Sequence, residues 1–307
     1  MENPIVSVII PNYNHAPYLK ERIESVLAQS FQDFELIILD DCSTDSSREI
    51  IELYKSNDHV SHVVLNQENS GNTFVQWKRG VDLAKGQYVW IAESDDVAHP
   101  SFLEVIVAQM MQHPNAVLAF SHSFLIDDEG HDLHINKHLN NNPDAVSVYD
   151  GARFARRAML RRNDIYNASM VVFRRDEFYN VDDNYRRYRT CGDWAFWMSL
   201  CLQGGVIEVC RQLNSYRQHA KKVTTQAGRT GDDWLEVGDL LHHFISQLSL
   251  SGISLRLFRG KWTKDFRESQ YPDKNVLIAR YPDVFGGSKI DIFLYGFFNL
   301  SRRLLNK

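Results

Sequence analysis

Three carboxylates fall within four residues at Glu93-Ser94-Asp95-Asp96. Carboxylates this close repel one another, and a fold tolerates the repulsion best when a cation neutralises it. Mg2+ or Mn2+ suits such a turn, because either takes one or two protein carboxylates and leaves positions for substrate phosphates. The competing reading is a solvated acidic turn. Asp193, in Gly192-Asp193-Trp194, is a second candidate. With Trp194 and Trp197 close by it would be partly desolvated, which raises a carboxylate's pKa and improves it as a general base. It would serve equally as an N-terminal helix residue favoured by the dipole. Asp40-Asp41 can accept from a nucleobase N–H or a ribose hydroxyl, or can cap its own turn. In Tyr216-Arg217-Gln218-His219, Arg217 and His219 have the chemistry to meet a diphosphate or a metal, or to lie solvated in a loop.

These residues need elements to hold them, and the hydrophobic pattern supplies them. Val6–Ile10, Glu35–Leu39, His62–Leu65 and Gln87–Ala92 read as strands. Between them Leu19, Ile23, Val26 and Leu27, then Ile50, Ile51 and Leu53, then Phe74, Trp77, Val81 and Ala84 recur at helical spacing. Ser46 and Glu49 have the spacing of a capping box. Strands alternating with helices imply βαβ units and a parallel sheet, whose ligands lie at the carboxyl ends of the strands. Every polar cluster of this half follows a strand: Asn12 and Asn14, Asp40 and Asp41, Asn69 and Gly71, Asp95 and Asp96. One such turn would be only a turn; four along one edge make a site. Beyond residue 100 the strands expected are Ala116–Phe120, Ser169–Phe173 and Val206–Val209. Trp194–Leu202 reads as a helix, Asp127–Asp144 as a polar loop, and helices alone are expected past about Gly228. The predicted organisation is a catalytic domain over 1–228, divided into a nucleotide-binding half (1–100) and an acceptor-binding half (101–228), and a helical extension over 229–307.

A net charge of −5 argues against a chain-wide basic surface, so no nucleic-acid partner is expected. The four cysteines include no Cys-x-x-Cys pair, and no basic region precedes the first short apolar run. A reducing, cytoplasmic setting is the expectation.

Taken together the turns resemble the family 2 glycosyltransferases of the GT-A fold. The resemblance runs through Val6-Ser7-Val8-Ile9-Ile10-Pro11-Asn12-Tyr13-Asn14, Ser25-Val26-Leu27-Ala28-Gln29-Ser30-Phe31 and Asp40-Asp41-Cys42-Ser43-Thr44-Asp45. It continues through Asn69-Ser70-Gly71-Asn72 and Ala84-Lys85-Gly86-Gln87-Tyr88 to Glu93-Ser94-Asp95-Asp96, and returns at Gly192-Asp193-Trp194 and Tyr216-Arg217-Gln218-His219. It implies an α/β, Rossmann-like mixed sheet flanked by helices, and inverting transfer of a sugar from a nucleotide donor, with a UDP-sugar favoured, to an acceptor hydroxyl. Pro11, Asn12, Tyr13, Asn14, Asp40, Asp41, Asn69, Gly71, Lys78 and Asp95 would lie at the nucleotide. Asp96, Asp95 and His219 would lie at the metal, with Asp96 the direct ligand, Arg217 at the diphosphate, and Asp193 as base. The acceptor implied is a bacterial glycan or lipid-linked glycan. The sequence departs from the family at Glu93, often Asp, and at Gly192, often Glu or Asp.

Two rivals remain at this level: a hydrolase using paired carboxylates, which needs no nucleotide, and an idle sugar- or nucleotide-binding protein of the same fold. The segment from Ile290 to Leu305 crowds bulky apolar residues before Arg302-Arg303 and Lys307. It is too short and interrupted to span a bilayer. It fits a helix lying at the inner face of a membrane, or one packed on the catalytic domain or in a homodimer.

Overall fold

A computed structural model describes residues 3–135, 137–138, 142–218 and 233–305. His219 and the expected boundary between 228 and 229 lie outside the described residues.

The first strand, β1 (Val6–Asn12), is buried at every position. A strand buried along its whole length belongs at the centre of a parallel sheet covered on both faces. It pairs in parallel with β2 (Phe34–Asp40), from Val6 opposite Phe34 to Asn12 opposite Asp40. On its other side it pairs in parallel with β4 (Tyr88–Ile91). β3 (Val60–Leu65) lies outside β2. Alternation then sorts the side chains by face. Val8, Ile10, Leu36 and Ile38 join one core with the helices α1 (Ala16–Leu27), α2 (Ser47–Tyr54) and α4 (Phe102–Gln112). Ile9, Ile37 and Leu39 join a second core under α3 (Thr73–Leu83) and α5 (Gly192–Cys201).

The second half converts this parallel sheet into a mixed one. β8 (Val171–Arg174) runs antiparallel to β4 and to β6 (Ala116–Ile126), and β9 (Gly205–Arg217) runs parallel to β6. The short strands β5 (Val97–Ala98) and β7 (Val146–Asp150) pair antiparallel with β9. The nine strands follow the order β3-β2-β1-β4-β8-β6-β9-β5, with β7 also on β9.

Four local expectations change, one being the strand expected over Ala116–Phe120, which runs on to Ile126. The Ser46–Glu49 capping box does not form: Ser46 makes no side-chain cap bond, and Asp45 instead accepts from Ser47 N–H at 3.0 Å. The strand expected from Ser169 begins only at Val171, because Ala168–Met170 makes a 3-10 turn. That turn aims the Ser169 hydroxyl at the acidic turn, where it accepts from Glu93 N–H at 3.0 Å. The strand expected over Val206–Val209 runs to Arg217, because β6 pairs with it through register shifts where its own pattern turns polar.

The C-terminal helices are α6 (Asp233–Gln247), α7 (Gly252–Glu268), α8 (Lys274–Arg280) and α9 (Lys289–Leu305). Leu240, Phe244, Trp262 and Phe266 belong to the same core as Trp194 and Trp197 of α5. Trp262 Nε1–H donates to the Leu160 carbonyl at 2.8 Å, and its ring lies 5.9 Å from that of Trp194.

Candidate active site

At the carboxyl ends of β1 and β2, register dictates the contacts. Asn12 stands opposite Asp40, and its Nδ2–H donates to Asp40 Oδ1 at 2.9 Å and to Ser43 Oγ at 3.1 Å. Asp40 is fully buried. Its other oxygen accepts from Ser43 N–H and from Arg48 Nε–H, each at 3.0 Å. Asp41 accepts from Asn66 Nδ2–H, Ser70 N–H, Ser70 Oγ–H and Gln76 Nε2–H at 2.7–3.1 Å. Both acids, expected as nucleoside contacts, thus spend their described hydrogen bonds on shaping the strand-end turns.

Asn14 adopts a left-handed conformation at φ 55°, which asparagine tolerates better than most residues, and its side chain accepts from Thr44 N–H of the neighbouring strand-end turn at 2.8 Å. Pro11 is buried in β1, whereas Tyr13 is 47% exposed at the strand end. Asn69 accepts from the N–H of Gly71, whose φ of 69° suits glycine. Lys78 is turned along α3 to Asp82 at 2.6 Å.

The acidic turn follows β4 and surrounds a buried arginine. Arg22 is inaccessible to solvent; its Nε–H donates to the Glu93 carbonyl at 2.8 Å, and its guanidinium lies 4.0 Å from Asp96. Glu93 accepts from Trp77 Nε1–H at 2.9 Å, and burial together with the Asp95 charge pushes its pKa up to about 8. At neutral pH Glu93 is therefore mostly protonated, which relieves part of the repulsion that the sequence implies. Asp96 is 1% exposed and accepts from Arg217 N–H at 3.0 Å and Asn167 Nδ2–H at 2.7 Å. Asp95 keeps 8% of its surface.

Arg217, expected at the diphosphate, is a buried clamp. Its guanidinium donates to the carbonyls of Asp95, Asp127 and Asp128 at 2.8–3.1 Å and to Glu21 Oε2 at 2.6 Å. Four of its five N–H donors are thereby occupied. Sequence reasoning missed Arg22 and Asn167 as partners of the acidic turn. Arg22 sits on the buried face of α1, at i+3 from Leu19, and that position is the only signal it offers.

Asp193 opens α5, a helix buried at eight of its ten positions. Its Oδ1 accepts from Trp194 N–H at 2.7 Å. Burial of the carboxyl group pushes its pKa up to about 7, although the residue as a whole is only half-buried. A Cβ at Gly192 would stand 2.2 Å from the Phe74 ring, so the space that an acidic neighbour would need is filled by an aromatic ring. Trp77 links the acidic turn to α5: its Nε1–H donates to Glu93, and its ring lies 5.8 Å from that of Trp197.

The loop that leads into α5 is held from the C-terminal helices. Glu236 of α6 accepts from the N–H groups of Arg189, Thr190 and Cys191 and from the Thr190 hydroxyl, at 2.6–3.1 Å. Glu236→Ala would leave three backbone donors without this carboxylate. A cost of at least about 2 kcal/mol is expected in chemical denaturation. If Asp193 is the base, kcat should fall more than KM changes; an unchanged kcat would separate the latch from the chemistry.

The carboxylates at this edge suit a hard divalent cation, which needs only one or two of them. Among the described residues, tighter groupings of possible ligands occur elsewhere, at His122, Glu208 and Cys210 and at Asp127, Glu129 and His131. The first is already joined by a hydrogen bond from His122 to Glu208 at 2.9 Å, and Glu208 accepts from Tyr149 at 2.8 Å.

Comparison with known proteins adds to this geometry. The family model described as glycosyl transferase family 2 matches residues 7–180. TuaG of Bacillus subtilis, named for teichuronic acid biosynthesis, is 33% identical over 201 residues, covering 66% of this chain and 73% of that protein. WcaA of Escherichia coli, named for colanic acid biosynthesis, is 30% identical over 167 residues, which is 54% of this chain and 56% of that protein. Among solved structures, residues 1–349 of S. aureus TarS in complex with UDP-GlcNAc superpose with a TM-score of 0.66 at 18% identity. The match covers 86% of this chain and 73% of that one, a likeness of fold.

Proposed function

This chain belongs to glycosyl transferase family 2, and we propose that it moves a sugar from a nucleoside diphosphate donor to an acceptor hydroxyl with inversion, using Asp193 as base. The observation that carries this reading is the placement of the Asp95-Asp96 turn, at the sheet edge where β1 and β4 end, beside the helix that Asp193 opens, the two joined through Trp77. Asp193 takes the acceptor proton as the hydroxyl attacks the anomeric carbon, and its elevated pKa matches that task at neutral pH. The C–O bond to the diphosphate breaks as the new glycosidic bond forms. Asp95 is the carboxylate we assign to a divalent metal, Mg2+ or Mn2+, with Asp96 behind it anchoring the turn. When bound, such an ion supplies positive charge for the departing diphosphate.

Tyr13 is assigned to the nucleobase, because it is an exposed aromatic residue directly after Asn12, which stands opposite Asp40. Asn12, Asn14, Asp40, Asp41, Asn69 and Gly71 shape the walls of that pocket. A UDP-sugar is favoured by the fold's likeness to a protein solved with UDP-GlcNAc. A glycan or lipid-linked acceptor of a bacterial polysaccharide is favoured by relatives named for teichuronic and colanic acid biosynthesis. No helix of the described residues is long and apolar enough to cross a membrane; we place the enzyme in the cytoplasm, at the inner membrane face.

A panel of nucleotide sugars, assayed for nucleoside diphosphate release with and without candidate acceptors, tests the reading. Acceptor-stimulated, metal-dependent release from one donor is expected. Sugar release from a glycoside without any nucleotide would favour the hydrolase. Tyr13→Ala should weaken nucleoside diphosphate binding about tenfold in calorimetry, the scale of one lost base stack. Unchanged affinity would remove Tyr13 from the pocket.

A further inference from the structure

Helix α9 leaves an apolar stripe open to solvent. Ile290, Phe293, Phe297 and Leu300 are 62, 70, 66 and 58% exposed. Their spacing of three, four and three residues puts them on one face, over about 15 Å of helix. The helix is anchored on its other side: Asp291 accepts from Arg256 of α7 at 2.8 Å and from Ser288 N–H at 3.0 Å. The stripe is thus presented outward by a helix whose orientation is fixed.

Charge accompanies it. From Gly252 to Lys307 the chain has eleven Lys and Arg against five Asp and Glu, a net of +6. With −5 overall, the preceding 251 residues carry −11. Tertiary structure brings a second basic run to the same place. The Arg161 guanidinium lies over the Phe298 ring, 4.9 Å from its centroid, which joins the segment containing exposed Arg156, Arg157 and Arg162 to the flank of α9. Lys289 is exposed beside Ile290.

We infer that this face docks on an anionic lipid surface, with the α9 stripe in the headgroup boundary and the Arg156–Arg162 segment over the phosphates. An amphipathic helix with bulky apolar residues and adjacent basic side chains has the chemistry for that interface. A second copy of the chain fits less well. A stable interface takes about 20–30 residues a side, whereas this stripe offers four large side chains, and two copies would oppose their excess positive charge.

Cosedimentation of the full chain with vesicles of phosphatidylcholine, alone or mixed with phosphatidylglycerol, tests the inference without donor or acceptor. Its outcome is therefore independent of the transferase reading. Strong binding is expected only to the mixed vesicles. Phe293→Ser with Phe297→Ser should weaken it about 100-fold, and Arg156→Glu with Arg157→Glu about tenfold or more. Thermal midpoints near the parent's show that these variants fold. As a second readout, Phe297→Trp should keep binding and show a blue-shifted emission on mixed vesicles. Equal binding to both vesicle types, undiminished binding by the serine variant, or unshifted emission would overturn the inference. So would a parent chain that ignores vesicles but dimerises through Phe293 and Phe297 in analytical ultracentrifugation.

Discussion

Asp193→Asn is expected to lower turnover about 100- to 10,000-fold, the usual range for loss of a general base, with nucleoside diphosphate affinity unchanged. Asparagine keeps the size and the Oδ1 that accepts from Trp194 N–H, so α5 should open as before. Only the ability to take a proton goes, and that ability counts in the transition state rather than in donor binding. The parent enzyme adds a pH signature. Burial raises the Asp193 pKa to about 7, so the base is active above that pH, and kcat should fall tenfold per unit below it. Stability runs the other way. A carboxyl whose pKa is raised on folding holds its proton more tightly in the native state, so this group's contribution weakens as pH climbs from its ordinary value, about 4, toward 7. Donor affinity lost together with turnover would make Asp193 a binding residue. A rate flat from pH 5 to 8 would place the base elsewhere.

The neighbouring aspartates of the acidic turn should separate. Asp95→Asn is expected to leave a folded protein whose metal-dependent turnover falls about 100- to 1,000-fold, on the scale of losing one electrostatic stabiliser. Asp96→Asn should instead cost stability. Its two carboxylate oxygens accept from Arg217 N–H and from Asn167 Nδ2–H, and buried Arg22 stands 4.0 Å away. An asparagine offers one acceptor oxygen and would turn an NH2 group toward a donor. Removing this charge also leaves Arg22 without its nearest counter-ion, and breaking a buried pair costs about 3–5 kcal/mol. Chemical denaturation of both variants, with metal titration of Asp95→Asn, checks the division. If Asp96→Asn unfolds like the parent and alone loses its response to metal, the ligand is Asp96, as the sequence resemblance implied.

The C-terminal helices matter to this chemistry more than their place in the chain suggests. Glu236 holds the three N–H groups that lead into α5, and Trp262 packs near Trp194 at the head of the same helix. A segment expected as an extension thereby supports the residue assigned as base.

What the sequence determined was the first half of the sheet and the edge where a site must form. Apolar runs ending in Asn12, Asp40 and Asp95-Asp96 have the period and length of buried parallel strands, and such strands deliver their next residues to one edge. Local pattern sufficed there because each strand is continuous and its polar turn follows at once. Tertiary structure alone decided which polar residues face a ligand and which face each other. Asp40, Asp41 and Arg217 read as binding residues, yet their hydrogen bonds go to Asn12, Ser70, Glu21 and the carbonyls around them. Those partners lie up to 196 residues away, and no spacing rule reaches that far. Arg22 is hidden for the same reason: a cation on the apolar face of a helix looks like an error until the fold sets it beside Glu93 and Asp96. The long β9 and the need for glycine at 192 follow likewise, one from pairing with β6 and the other from the Phe74 ring that fills the space, because strand length and free volume belong to the neighbours and not to the segment itself.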